Sequence, residues 1–166
     1  MINNQVVPFE FDTTLLGEEK EGIAESLCGR VVHGRKMGRQ LGFPTANVDA
    51  DAVLLANGVY GVHVVVKGKQ YQGIMNVGVK PTFGSTLKKT FEVHLLDFFD
   101  DLYGEFIKCQ LLFKVREEQK FASIDLLKKQ ITEDIYRAIE KFKQFEALFE
   151  DGERKNLRKK QIFESA

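Results

Sequence analysis

One stretch of sequence, Gly58-Val-Tyr-Gly-Val-His-Val-Val-Val66, decides the fold, because its β-branched residues favour an extended strand. Lys67-Gly68-Lys69 follows at once, and a glycine between two such segments is typical of a hairpin turn. The segment from Tyr71 to Val79 is then predicted to be the returning strand. Pro81 ends it, because proline has no N–H for the ladder. The pair predicts an antiparallel sheet.

Three further segments are predicted to be strands. Leu27 to His33 precedes a glycine-rich loop, and two later segments alternate apolar and polar residues with the period of a strand. In the first alternating segment, Thr90–Phe98, one face contains Phe91, Val93 and Leu95, and the other contains Glu92 and His94. In the second, Ile107–Val115, one face contains Ile107, Cys109, Leu111 and Phe113, and the other contains Lys108, Gln110 and Lys114.

The period changes to that of a helix after Ser123, which is a predicted N-cap with Asp125 in the first turn. The apolar residues at helical spacing are Leu127, Ile131, Ile135, Ala138, Phe142, Phe145 and Phe149. We expect a helix from about Ile124 to Phe149. Five or six strands with short turns and one long helix predict a mainly β fold, an antiparallel barrel capped by the helix. Hairpin-joined strands argue against a doubly wound nucleotide-binding fold.

The length of 166 residues suits one domain, expected at 27–149, with a polar tail at 1–26 and a charged tail at 150–166. The 24 basic residues balance the 24 acidic ones, so no overall field attracts nucleic acid or a membrane. No apolar run approaches the ~20 residues of a membrane span. Cys28 and Cys109 each lie alone among apolar residues, so we expect both to be free cysteines of the core in a reducing compartment. We therefore expect a cytoplasmic protein.

The segment Gly34-Arg-Lys-Met-Gly-Arg-Gln-Leu-Gly-Phe-Pro-Thr-Ala-Asn47 combines glycines and cations, which suits an anionic ligand. Thr45 and Asn47 lie two residues apart, so both oxygens face one side of an extended chain and can reach one hard cation. These features suit a magnesium-bound nucleotide, although the spacing is not that of a P-loop. An alternative remains, because Thr and Asn also cap loops through side-chain to backbone bonds.

Glu92 is a candidate general base, since a carboxylate can take a proton from a hydroxyl held beside it. The alternative is a solvated charge on the outer face of the strand. His94 suits a strand histidine bonded to the backbone. The charged segment Arg116-Glu-Glu-Gln-Lys-Phe121 is either a solvated turn or a lid that supplies hydrogen bonds and an aromatic ring to a flat ligand.

Two charged clusters carry weaker signals. The acidic cluster contains Asp97, Asp100, Asp101 and Glu105, and it lacks calcium-loop spacing, so a solvated hairpin end is expected. The basic cluster contains Arg154, Lys155, Arg158, Lys159 and Lys160. It is expected to be a solvated tail, with contact to phosphate or RNA as the alternative.

Taken in order, these segments resemble the riboflavin kinase family, in particular the kinase domain of bacterial bifunctional FAD synthetases. The resemblance covers roughly Cys28 to Phe145. The matching segments are Gly29-Arg-Val-Val-His-Gly34, Gly38-Arg-Gln-Leu-Gly-Phe-Pro-Thr-Ala-Asn47, Asn57-Gly-Val-Tyr-Gly61, Asn76-Val-Gly-Val-Lys-Pro-Thr82, Thr90-Phe-Glu-Val-His-Leu-Leu-Asp97, Leu102-Tyr-Gly104 and Arg116-Glu-Glu-Gln-Lys-Phe121. The Pro-Thr-Ala-Asn element followed at a distance by Phe-Glu-Val-His is specific in combination.

The resemblance implies a six-stranded Greek-key barrel that transfers the γ-phosphate of ATP to the ribityl 5′-hydroxyl of riboflavin, giving FMN and ADP. It implies that Thr45 and Asn47 hold Mg²⁺ and that Glu92 is the catalytic base. On the ATP side it places Gly34, Arg39, Gly42, Pro44, Thr45 and Asn47. In the loop over the flavin it places Arg116, Glu118 and Phe121.

Bifunctional relatives carry an adenylyltransferase domain before the kinase, whereas the residues before Cys28 contain no histidine and none of its motifs. We therefore expect a stand-alone flavokinase, with a separate FAD synthetase acting downstream, and neither a membrane nor a nucleic acid as partner. The competing hypothesis is a flavin-binding regulatory module that acts on RNA or protein partners through the basic tail. An oligonucleotide-binding barrel is disfavoured, since no basic surface with regularly placed aromatic residues is evident.

Overall fold

The computed structural model describes residues 26–34, 37–50, 55–81 and 87–164. Their strands are β1 (Ser26–Val32), β2 (Ala46–Asp49), β3 (Gly58–Val66), β4 (Lys69–Pro81), β5 (Leu87–Leu95) and β6 (Phe106–Arg116). Their helices are α1 (Met37–Leu41) and α2 (Ile124–Glu164). None of the helices in these ranges is long and apolar enough to cross a bilayer.

The strands form a closed barrel in the order β1-β2-β5-β4-β3-β6, with every neighbouring pair antiparallel. Strands β3, β4 and β5 follow one another through the chain, and β6 returns to lie beside β3, which is the Greek-key arrangement. The predicted six-stranded Greek-key barrel with a C-terminal helix is therefore confirmed. The hairpin turn at Lys67 and Gly68 has φ angles of 50° and 73°, the left-handed pair that suits a two-residue turn.

Residues from all six strands fill the barrel interior, and the alternation predicted for β5 is confirmed. Phe91, Val93 and Leu95 of β5 are all buried, whereas Glu92 and His94 between them are only partly covered. Leu102 is buried in the same cluster, and Tyr71 and Phe98 pack against the cluster.

A second apolar cluster lies outside the barrel, where α2 covers β3, β4 and β6. Ala138 and Phe142 of the helix are buried there against Val59, Ile74 and Leu112. The predicted helical face is thus confirmed from Ile135 to Phe145, whereas the side chain of Phe149 lies outside the described residues. The helix backbone continues past the predicted end at Phe149 to Glu164. The side chains of the C-terminal basic cluster lie outside the described residues.

The predicted inner face of β6 is confirmed for Ile107, Cys109 and Leu111 but is wrong for Phe113. A register irregularity between β3 and β6 leaves Leu112 without a directly opposed partner, so Leu112 and Phe113 both face the outer cluster and the alternation changes phase. Phe113 therefore joins the outer cluster, with its ring 5.0 Å from that of Phe142, rather than the barrel interior. Gly61 makes room for this ring, because a Cβ there would lie 2.3 Å from Phe113 Cε2.

Two other differences concern element bounds. The sequence predicts a loop over the Gly34–Asn47 segment, but α1 lies within it and the short strand β2 begins near its end. Strand β5 ends at Leu95 rather than Phe98, because the chain turns at Asp97, whose φ is 53°.

Candidate active site

A row of directly opposed residues crosses three strands on the outer face of the barrel. Asn47 of β2 lies opposite Glu92 of β5, and Glu92 lies opposite Asn76 of β4. Directly opposed residues of antiparallel strands point to the same face, with Cβ atoms about 4.5–5.5 Å apart. Asn47 and Glu92, which the sequence identifies as separate candidate site residues, are therefore neighbours.

This row opens into a cavity of about 410 Å³ between the barrel and α2, which we call the helix-side cavity. Its polar lining includes Thr45, Asn47, Asn76, Lys80, Glu92, His94, Arg116, Glu118 and Asp134. Its apolar lining includes Leu41, Phe43, Val59, Ile74, Phe121, Leu127, Ile131 and Ile135. One apolar wall and a few converging polar groups are typical of a small-molecule site.

A second cavity of about 350 Å³, the loop-side cavity, lies beside the loop that follows β5. It is lined by Val31, Arg39, Pro44, Thr45, Ala46, Val93, Leu95 and the loop residues from Phe98 to Tyr103. Phe99 is 97% exposed at its rim. Because Thr45 lines both cavities, the two adjoin at this threonine.

Glu92 is held by an ion pair. Lys80 Nζ donates to Glu92 Oε1 at 2.8 Å, and the two side chains are 40% and 31% exposed. Glu92 therefore lies on the outer face, as the alternative interpretation proposed, but within a cavity and beside a cation.

His94 fixes the chain just before Thr45. Its Nδ1 lies 2.8 Å from the Pro44 carbonyl oxygen, and its ring meets Phe43 edge-on with centroids 6.1 Å apart. This is the backbone-bonded strand histidine that the sequence suggested, and its effect is to tie β5 to the Pro44–Thr45 segment.

Two glycines allow close packing around Thr45 and Asn47. A Cβ on Gly34 would lie 2.0 Å from Asn47 Nδ2, and one on Gly38 would lie 2.9 Å from Thr45 Oγ1. The glycines therefore let the turn around α1 approach both oxygen-bearing side chains. Gly42 has a φ of 88° and open space around it, so it serves the turn after α1 and lines neither cavity.

Arg116 joins the barrel to α2. Its Nε lies 2.9 Å from both Asp134 carboxylate oxygens, its Nη2 lies 2.9 Å from Oδ2, and its Nη1 donates to the Glu117 carbonyl at 2.9 Å. Gln130 also donates to Asp134 at 3.0 Å. The Arg116 guanidinium lies 5.5 Å from the Phe121 ring centroid. The segment after β6 is thus fastened to the helix.

Glu118 is held by Asn57, whose Nδ2 donates to Glu118 Oε2 at 2.8 Å. Lys89 donates in turn to the Asn57 side chain and to the Leu55 carbonyl. Arg116, Glu118 and Phe121 therefore form an ordered edge of the helix-side cavity rather than a solvated turn.

The predicted site residues separate into two groups. Thr45, Asn47, Glu92, Arg116, Glu118 and Phe121 line the helix-side cavity, and Arg39, Pro44 and Thr45 line the loop-side cavity. Gly34 contacts the first group through Asn47. Sequence reasoning missed Asn76, Lys80 and Asp134 as site residues. The sequence does contain a signal for Asn76 and Lys80, because alternation along β4 places them on one face. No sequence feature distinguishes Asp134 from the other charged residues of α2.

The acidic cluster after β5 serves the loop itself. Lys67 pairs with Asp100 at 3.6 Å and with Glu105 at 3.5 Å, and Asp101 accepts the Tyr103 N–H at 3.0 Å. Across the described ranges, no group of three or more His, Cys, Asp or Glu side chains is arranged to hold a metal.

The fold and site define a class: a small Greek-key barrel with two adjoining cavities, one of them walled by a helix. The model of the family described as "Flavokinase: Riboflavin kinase" matches residues 22–142. The chain therefore belongs to the riboflavin kinase family.

Individual relatives agree with this assignment. The chain is 53% identical over 116 residues to an RNA-binding riboflavin kinase, RibR, of Bacillus subtilis, covering 70% of this chain and 50% of the relative. It is 41% identical over 138 residues to a bifunctional riboflavin kinase/FMN adenylyltransferase of Pseudomonas fluorescens, covering 82% of this chain and 43% of the relative. The chain thus spans half or less of the length of these relatives.

Two solved structures share the fold. Riboflavin kinase from Trypanosoma brucei is 27% identical with a TM-score of 0.50, covering 71% of this chain and 76% of that one. A protein from Streptococcus pneumoniae described as a macrolide-efflux protein is 36% identical with a TM-score of 0.62, covering 67% of this chain and 37% of that one.

Proposed function

We propose that this chain phosphorylates riboflavin with ATP, giving FMN and ADP. The observation that carries the proposal is the junction of two cavities at Thr45, with Glu92 in one of them. A phosphoryl transfer needs a donor and an acceptor side by side, and little beyond positioning and charge neutralisation.

The two cavities suit different substrates. In the helix-side cavity, Phe121 and the helix residues Leu127, Ile131 and Ile135 offer the apolar wall that a flat flavin ring needs. In the loop-side cavity, Arg39 offers a positive charge for phosphates, and the aromatic residues of the loop after β5 offer stacking for a purine. We therefore assign riboflavin to the helix-side cavity and ATP to the loop-side cavity, with Gly34, Gly42 and Pro44 shaping the turn over the nucleotide.

Thr45 and Asn47 are the proposed holders of Mg²⁺. Hydroxyl and amide oxygens are ligands that this hard cation accepts, and it commonly takes its remaining ligands from substrate phosphates and water. A site with few protein ligands therefore fits a metal that arrives with ATP. When bound, Mg²⁺ would neutralise charge on the phosphate oxygens.

Glu92 is the proposed general base. Its carboxylate takes the proton of the ribityl 5′-hydroxyl, whose oxygen forms a bond to the γ-phosphorus while the bond to the bridging oxygen breaks and ADP leaves. Asn47 and Asn76 flank Glu92 in the cross-strand row and can hydrogen-bond the ribityl chain. Arg116, Glu118 and Phe121 would hold the ring end of the flavin.

The test is formation of FMN from riboflavin, ATP and Mg²⁺ by the purified chain, followed by chromatography with fluorescence detection. Glu92→Gln should lower kcat roughly 10²–10⁴-fold, the range for loss of a general base. Nucleotide affinity should change little, since the base acts mainly in the transition state. Absence of FMN from folded protein would overturn the function, and full activity of Glu92→Gln would overturn the mechanism.

A second candidate function, a flavin-dependent regulator that contacts RNA, is supported by the description of the Bacillus subtilis relative as RNA-binding. The test is RNA binding by the full chain and by a chain lacking residues 153–166, with and without FMN. Equal binding by both chains, or none by either, would remove any role for the basic cluster. A cytoplasmic location and a separate downstream adenylyltransferase remain predictions.

A further inference from the structure

We propose that Lys80 is a positioning residue for Glu92: it holds one carboxylate oxygen, so that the other is presented to the substrate hydroxyl. This inference rests on the proposed function and goes beyond it by adding a residue that neither the sequence motifs nor the comparisons assign. The supporting geometry is the 2.8 Å contact between Lys80 Nζ and Glu92 Oε1 inside the helix-side cavity.

The backbone arrangement explains how this contact arises. Glu92 lies opposite Asn76, whereas Lys80 lies opposite Lys88, so the lysine must reach along β4 to touch the carboxylate. Gly78 lies between them on the same face, and without a side chain it leaves that path open. A Cβ on Gly78 would lie 3.1 Å from Glu118 Oε1, so the surrounding space is already closely bounded.

The two oxygens of Glu92 have different surroundings. Oε1 accepts a hydrogen bond from the Lys80 ammonium, whereas no described residue donates a hydrogen bond to Oε2. Oε2 is then the atom that receives the hydroxyl proton as the new oxygen–phosphorus bond forms and ADP departs. Lys80 keeps its own proton throughout, so its contribution is orientation of the carboxylate.

If the Lys80–Glu92 contact were only a solvated surface ion pair, its loss would leave kcat unchanged. Exposed pairs contribute only about 0–1 kcal/mol to stability, so this pair should have little effect on folding. Its loss should appear in turnover instead. The chain offers a matched control on the partner strand: Lys88 pairs with Asp49 at 3.3 Å, with both side chains about 60% exposed and outside the helix-side cavity.

The first experiment compares Lys80→Met with Lys88→Met, since methionine keeps much of the aliphatic stem. Lys80→Met should lower kcat roughly ten- to hundredfold, the scale expected for a misplaced catalytic group, with KM for riboflavin within about threefold of wild type. Lys88→Met should match wild type. Lys80→Arg should recover much of the lost kcat, and thermal unfolding of all three should match wild type.

The second experiment places Lys80→Met in the Glu92→Gln background. If Lys80 acts through Glu92, the double variant should be no slower than Glu92→Gln alone. A further loss of kcat, equal to that of the single lysine variant, would overturn the inference. So would wild-type or raised kcat in Lys80→Met, and so would a rise in KM alone. These outcomes need an active wild type, so they are distinct from failure of the proposed function, in which wild type makes no FMN.

Discussion

Arg116 of β6 and Asp134 of α2 form a buried ion pair, with 16% and 4% of their side chains exposed. This pair lies at the edge of the helix-side cavity and links the segment that carries Glu118 and Phe121 to the helix. It therefore connects the stability of the helix packing to the shape of the proposed flavin site.

Asp134→Ala should destabilise the chain by about 3–5 kcal/mol, because it leaves the Arg116 charge largely buried without its partner. The measurement is urea unfolding followed by circular dichroism. The matched control is Glu133→Ala, which removes an exposed pair with Arg137 one residue away and should cost less than about 1 kcal/mol. Equal losses in the two variants would contradict a structural role for the buried pair.

Gly34→Ala should impair the proposed metal site without changing a ligand. The added Cβ would lie 2.0 Å from Asn47 Nδ2, so the amide must move. We expect roughly ten- to hundredfold lower kcat at fixed Mg²⁺ and a higher Mg²⁺ concentration at half-maximal rate. In the Asn47→Ala background the same change should do no further harm. A full additional loss there would show that Gly34 acts by another route.

His63 should make stability depend on pH. Its half-buried ring stacks on Phe142 under α2, and burial lowers its pKa below the ordinary 6.5, an effect that Glu146 partly opposes. As pH falls through about 6.5, the unfolded chain takes up a proton that the folded chain resists, so the free energy of unfolding falls. Urea unfolding at a series of pH values should show a shallower fall for His63→Gln. An identical fall in both proteins would contradict the prediction.

The two cysteines should differ in reactivity. Cys28 is exposed, whereas burial raises the pKa of the Cys109 thiol to about 12, and only a thiolate reacts readily. A thiol reagent at pH 8 should therefore modify one cysteine in the folded chain and both in denaturant. Cys28→Ser should abolish the reaction of the folded chain. Rapid modification of Cys109 in that variant would show that the barrel opens readily.

Much of this fold follows from local pattern. The alternation in β5 places Phe91 inside and Glu92 outside because side-chain direction in a strand has a period of two. Likewise, the spacing of Ala138 and Phe142 predicts the buried face of α2 because only that face meets the barrel. These elements are long and regular enough for their composition to determine them.

The rest depends on the closed barrel. Strand β2 has only four residues, and it exists because β1 and β5 pair with it on either side. Phe113 faces α2 because register irregularities, invisible in its own alternating segment, change the phase of β6. The contact of Lys80 with Glu92 likewise follows from the register of β4 against β5. Tertiary pairing, rather than composition, determines these features.

Since α2 forms one wall of the helix-side cavity, a ligand there contacts the barrel and the helix together. Its binding free energy is then added to the free energy that keeps the helix in place, as mass action requires of any ligand that prefers the closed form. Filling the cavity should therefore increase the protection of the α2 amides from hydrogen exchange. The exchange rate of the α2 amides thus becomes a measure of whether the helix-side cavity is occupied.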